Sequence, residues 1–107
     1  MSAAKKTRRE MLEEYVDKNP DDAFSRYGLA MECVNGGDSA AADIHFQALI
    51  ENNPDYVPAY LMYAQMLARE SRTSEAKKIL SSGIVAATKK GDEHARSELQ
   101  ALLSELG

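Results

Sequence analysis

The chain has 107 residues and a net charge of −4, with 44% of residues hydrophobic and 28% charged. This suits one small folded domain spanning residues 1–107 and is too apolar for intrinsic disorder. A single cysteine excludes an internal disulfide framework and a cysteine-rich zinc site, and five tyrosines, two phenylalanines and no tryptophan argue against a stacking platform for single-stranded nucleic acid. Charge is uneven: residues 1–9 carry +4, residues 10–55 carry −9 and residues 56–107 carry +1. The acidic stretch reads as a solvated helix surface, and the four cations Lys5, Lys6, Arg8 and Arg9 are too few for a nucleic-acid or membrane site. No apolar run approaches the ~20 residues of a membrane-spanning helix, and no apolar core follows the basic start as it would in a secretory signal. A cytoplasmic, reduced setting with Cys33 as a free thiol is expected.

The elements follow in chain order. Thr7-Arg8-Arg9-Glu10 has the form of a capping box and starts a helix over 8–18, with Met11, Leu12, Tyr15 and Val16 as its apolar stripe. Asp21-Asp22 suits the start of a second helix, 22–36, since acids stabilise a helix N-terminus. Phe24, Tyr27, Met31 and Val34 lie on one of its faces and Leu29, Ala30 and Cys33 on another, so this helix must be covered on two sides. Asn35-Gly36-Gly37-Asp38 breaks it, with glycine supplying a left-handed stop and Asp38 or Ser39 capping the next helix. That helix, 39–52, carries Ala42, Phe46 and Leu49 and ends at Asn52-Asn53-Pro54, because proline disfavours helix in the residue before it. Helix 57–70 begins with Pro58 near its first position and carries Tyr60, Tyr63, Ala64 and Leu67. Ser71-Arg72-Thr73 is a turn with Thr73 as cap, and helix 74–87 carries Ala76, Leu80 and Ile84. Gly83 inside it costs ~1 kcal/mol against alanine and is expected to allow a close helix crossing. Gly91-Asp92 starts the last helix, 92–106, with Ala95, Leu99, Leu102, Leu103 and Leu106 on one face.

A shift of 34 residues pairs these positions. Pro20-Asp21-Asp22 aligns with Pro54-Asp55-Tyr56, Leu29 with Tyr63, Ala30 with Ala64, Cys33 with Leu67, Ala42 with Ala76 and Phe46 with Leu80. The first copy reads Arg26-x2-Leu29-Ala30-x2-Cys33, then Ala42-x3-Phe46, then Pro54. The second reads Tyr60-x2-Tyr63-Ala64-x2-Leu67, then Ala76-x3-Leu80, then Thr88. With this period and pattern the chain resembles the tetratricopeptide repeat (TPR) family over roughly residues 8–106. It departs from the pattern at Arg26, where a large aromatic is usual, and at Thr88, where proline is usual.

The resemblance implies an all-α fold, a right-handed α-solenoid of antiparallel helix pairs with about six helices. Its parts are an N-terminal helix 8–18, repeats over 22–54 and 56–88, and a capping helix 92–106 whose His94, Ser97 and Glu98 leave nothing apolar for a further helix. It also implies a concave groove lined by the first helix of each repeat. The family's groove positions carry over to Phe24, Tyr27, Met31, Val34 and Asn35, then to Pro58, Leu61, Gln65, Ala68 and Arg69. Tyr27, Met31, Asn35, Leu61, Gln65 and Arg69 are the candidates for partner binding. Chaperone-binding members hold a C-terminal carboxylate with Lys and Asn where this chain has Tyr27 and Met31, which argues against such a clamp. An apolar peptide or amphipathic helix of another protein fits better.

No catalytic constellation is found. The glycine pair lacks the lysine and spacing of a phosphate loop, and His45 and His94 are far apart. His45 and Asp43 fall on different helix faces, and Cys33 sits on a core stripe. No cofactor, metal, nucleic acid or membrane is expected. The functional expectation is a non-catalytic protein–protein adaptor, the alternative a homodimerising structural module.

Overall fold

A computed structural model describes residues 5–107; the start of the basic N-terminal stretch, residues 1–4, lies outside them. The described residues form six helices and no strand: α1 Arg8–Lys18, α2 Ala23–Asn35, α3 Ser39–Asn52, α4 Val57–Arg69, α5 Thr73–Lys90 and α6 Glu93–Leu106. They group into two compact units, the residues up to Ala48 and Leu49–Gly107, and the boundary falls within α3.

In the first unit α1 packs on α2. Thr7 and Glu10 complete the capping box, the Glu10 N–H donating to the Thr7 hydroxyl at 3.1 Å and the Thr7 N–H to the Glu10 carboxylate at 2.8 Å. Asp22 accepts from the Ser25 N–H, and Asp38 caps α3 by accepting from the Ala41 N–H. Arg9 donates to Asp38 at 3.0 Å and Arg8 to Glu32 at 3.0 Å. Val16, Leu29, Ala30, Cys33, Ala42 and Phe46 are buried. The expected α1 stripe divides: Val16 is covered, Leu12 is half-buried, and Met11 and Tyr15 remain about half exposed.

In the second unit α5 packs on both α4 and α6, and α4 meets α6. Val57, Tyr60, Ala64, Leu80, Ala86, Ala87 and Leu99 form the core, and Ala95, Leu102, Leu103 and Leu106 of α6 pack against it. Each large apolar side chain taken out of water contributes roughly 1.5–3 kcal/mol, so the single apolar face of α6 is enough to hold it in place.

The 34-residue period reappears as backbone geometry. The Asp38 N–H donates to the Cys33 carbonyl and the Arg72 N–H to the Leu67 carbonyl, both at 2.9 Å, and the Asp92 N–H does the same to Ala87. These bonds close the ends of α2, α4 and α5 in one pattern, each turning through a left-handed residue: Gly37 (φ 76°), Ser71 (φ 62°) and Gly91 (φ 69°).

Two boundaries differ from the sequence reading. Thr73 is the first residue of α5 rather than its cap, and Arg72 at the cap position makes no side-chain capping bond. The last helix of the second repeat was expected over 74–87, and α5 instead continues to Lys90. The cause is Thr88 at the repeat position of Pro54. Proline stops α3 at Asn52, whereas Thr88 continues the helix, its hydroxyl donating to the Ile84 carbonyl at 2.7 Å, and the stop waits for Gly91.

Candidate functional site

The candidate residues lie on two helices in two units. On α2, the Asp22 cap fixes the helix start, and Tyr27, Met31 and Asn35 follow at one-turn spacing. Leu29, Ala30 and Cys33, on the covered side, are at most 1% exposed. Tyr27 and Met31 are half-buried and Asn35 is exposed. On α4, Leu61, Gln65 and Arg69 repeat that spacing over the buried Tyr60, Tyr63, Ala64 and Leu67. Leu61 and Gln65 are half-buried and Arg69 is exposed. The two triplets thus show the same gradient of exposure at equivalent repeat positions. Leu61 also packs on the core of its unit, so part of its surface serves the fold. Of the other groove positions, Phe24 is 75% exposed, Pro58 is exposed, and Val34 and Ala68 are half-buried.

The structure adds two surface depressions that the sequence reading did not single out. In the first unit Arg8, Met11, Leu12, Tyr15 and Ser25 line one of about 360 Å³. In the second, Pro54, Asp55, Tyr60, Ser82, Val85, Ala86, Lys89 and Lys90 line one of about 450 Å³. There the Tyr60 hydroxyl donates to the Pro54 carbonyl at 2.5 Å, and burial, with Asp55 nearby, raises its pKa. The signal for the first was the width of the α1 stripe. Four apolar residues spread over more of the helix than one neighbouring helix covers.

Two titratable side chains, Cys33 and His45, are buried or half-buried. Burial raises the Cys33 thiol pKa, the reverse of what a nucleophile needs. His45 is half-buried on α3, burial lowers its pKa, and its buried Nδ1 has no hydrogen-bond partner. Among the described residues no three His, Cys, Asp or Glu side chains converge as metal ligands, and no helix is long and apolar enough to cross a membrane.

No protein-family profile matches the chain. A Pseudomonas aeruginosa protein described as TPR repeat-containing is 27% identical over 97 residues, which is 91% of this chain and 92% of that one. The solution structure of a tetratricopeptide repeat domain protein from Salinibacter ruber is 33% identical, with a TM-score of 0.77 over 81% of this chain and 88% of that one. A Bordetella parapertussis protein solved in solution is 25% identical, with a TM-score of 0.79 over 95% of this chain and 89% of that one. The repeat period, the helix pairs and these likenesses define a TPR-like, all-α helical repeat protein. The chain belongs to the tetratricopeptide repeat family. Its fold is that of a protein–protein interaction module, a class that is generally non-catalytic.

Proposed function

We propose that this protein is a non-catalytic adaptor that binds an apolar peptide or amphipathic helix of another protein through Tyr27, Met31 and Asn35 of α2 and Leu61, Gln65 and Arg69 of α4. The observation that carries this reading is the repeated exposure gradient. A half-buried tyrosine or leucine, a half-buried methionine or glutamine a turn later and an exposed polar end recur 34 residues apart. Tyrosine and methionine are adaptable contact residues: tyrosine joins an apolar ring to a polar tip, and methionine is flexible and polarizable. Neither Tyr27 nor Met31 is a cation or amide, so a carboxylate clamp is a poor fit. A cytoplasmic setting is part of this proposal, supported by the free, buried thiol of Cys33.

The experiment is site-specific photocrosslinking from position 27 and from position 61 in the source cell, with Lys78, exposed on α5, as the control position. The same partner captured from 27 and 61 but not from 78, and lost in a Tyr27→Ala, Gln65→Ala variant of unchanged melting temperature, is the expected result. Crosslinks only between copies of this chain, together with a tight dimer in sedimentation, would replace the adaptor by the homodimerising module.

A further inference from the structure

Beside the buried Val16, α1 carries an apolar face that the described residues leave partly exposed. At 3.6 residues per turn, Lys18, Met11, Tyr15, Arg8 and Leu12 fall within about one third of the helix circumference. Glu10, Glu13, Glu14 and Asp17 all fall on the remainder. Met11 is 53% and Tyr15 48% exposed, and with Arg8, Leu12 and Ser25 they line the 360 Å³ depression. The result is an apolar floor with a cation at each end and no acid of α1 on it, Glu32 of α2 being paired with Arg8 at its edge.

The repeat identifies the kind of object that fits. Arg8, Leu12 and Tyr15 stand 68 residues, two periods, before Ala76, Leu80 and Gly83 of α5. Those three are buried in the second unit, where α4 packs on α5. The equivalent face of α1 therefore has the form of a helix-packing surface. Its charges define the occupant. Two copies of this chain meeting through α1 bring Arg8 onto Lys18 if antiparallel, and each cation onto itself if parallel, so self-pairing is opposed. The chain's own α6, which continues the α2 and α4 frame, offers Ser97, Glu98 and Ala101 where α4 has Tyr63, Ala64 and Leu67, so it lacks the apolar stripe. Lys18 makes no ion pair among the described residues, and Arg8 bonds Glu32 through Nε while its side chain stays 73% exposed. The exposed Lys18 ammonium and the guanidinium N–H groups of Arg8 that do not bond Glu32 can meet a new partner.

We infer that the exposed face of α1 is a second docking site, separate from the α2 and α4 candidates, for an amphipathic helix of another protein that carries an apolar stripe and an acidic residue near each end. Apolar contact supplies the affinity. The two charge pairs set orientation and on-rate and weaken with salt.

The probe is a capped synthetic helical peptide with a leucine stripe and glutamate at both ends, compared with its counterpart carrying lysine in place of each glutamate. Fluorescence anisotropy at low salt is expected to show the acidic peptide binding at least about tenfold more tightly. Amide shifts should map to Arg8, Met11, Leu12, Tyr15 and Lys18. Met11→Glu and Lys18→Glu should each weaken binding by about tenfold or more without changing the melting temperature, since both side chains are exposed. Leu61→Ala and Gln65→Ala should leave it unchanged, which separates this site from the α4 candidates. Equal affinity for the two peptides, no binding at millimolar concentration, shifts centred on α4, or a dimer of the chain alone that buries Met11 would each overturn the inference.

Discussion

A Cβ atom on Gly83 would lie 2.6 Å from the Cβ of Tyr60 and 3.2 Å from a Leu99 methyl. Gly83 of α5 is thus the point where α4 and α6 both come close, and the atom in the way on α4 is next to the backbone and cannot swing aside. Alanine at 83 gains ~1 kcal/mol of helix propensity. It also forces two helices apart in a close-packed core, and overpacking of that kind costs ~1–3 kcal/mol. We expect Gly83→Ala to lower the urea midpoint despite its better propensity. A midpoint at or above that of the parent would show that α4 and α5 are not held at this distance.

Gly37 and Ser71 form the complementary case, because only backbone conformation is at issue. They occupy equivalent repeat positions at φ 76° and 62°, and a Cβ on Gly37 would meet nothing within 4 Å. An L-residue in the left-handed region is disfavoured by roughly 1–2 kcal/mol, and the extra freedom of glycine in the unfolded chain returns part of this. Ser71→Gly should therefore stabilise the protein by up to about 1 kcal/mol, and Gly37→Ala should destabilise it by about the same amount. Thermal unfolding of the two variants tests this, and opposite signs are the required outcome.

Much of this architecture was legible in the sequence because repeats state each packing rule more than once. Leu29 with Tyr63 and Phe46 with Leu80 marked the core, and all four are buried. Asp22, Asp38 and Asp92 marked helix starts, and each caps one. The reading failed where one residue departs from the pattern. Thr88 in place of proline lets α5 run on to Lys90, and Thr73 lies inside the helix it was expected to cap. The candidate surface was less legible. Periodicity places Met11, Leu12, Tyr15 and Val16 on one broad stripe, but only the packing of α2 decides that Val16 is covered and Tyr15 is not.

Ala42 and Ala76, equivalent in the repeat, are both fully buried. A larger side chain at a fully buried position has to displace its neighbours in a close-packed interior. Leucine at either position should cost ~1–3 kcal/mol, and Leu29→Ala, which opens a cavity instead, ~2–5 kcal/mol. Met31→Ala, one helical turn from Tyr27 on the half-exposed face, should cost far less than Leu29→Ala. Urea titrations of the four variants check the ranking, and a Met31→Ala loss as large as that of Leu29→Ala would make Met31 a core residue and remove it from the candidate surface.

His45 gives the fold a pH dependence with a defined sign. Burial is the main cause that lowers its pKa below the ordinary 6.5, and Arg26 of α2 and Arg9 of α1 add to it. Glu13 and Asp17 of α1 act in the opposite direction but less strongly than burial. Its buried Nδ1 has no partner, so a proton added there would bring charge into a site with nothing to receive it. A base with a lowered folded-state pKa holds fewer protons folded than unfolded, so stability rises with pH through this window. The contribution is fully present above 6.5 and is lost as the pH falls from 6.5 towards the folded-state value. Ile79 stands at the equivalent position of α5, half-buried and without charge. We therefore expect His45→Leu to unfold at a higher temperature than the parent at about pH 5, and the gap to shrink towards about pH 7.5, where the parent imidazole is neutral in both states. His45→Gln, polar but uncharged, should flatten the pH dependence in the same way, which separates loss of the charge from gain of apolar contact. Parallel melting-temperature profiles for parent and both variants between those pH values would show that His45 is not the group that senses pH.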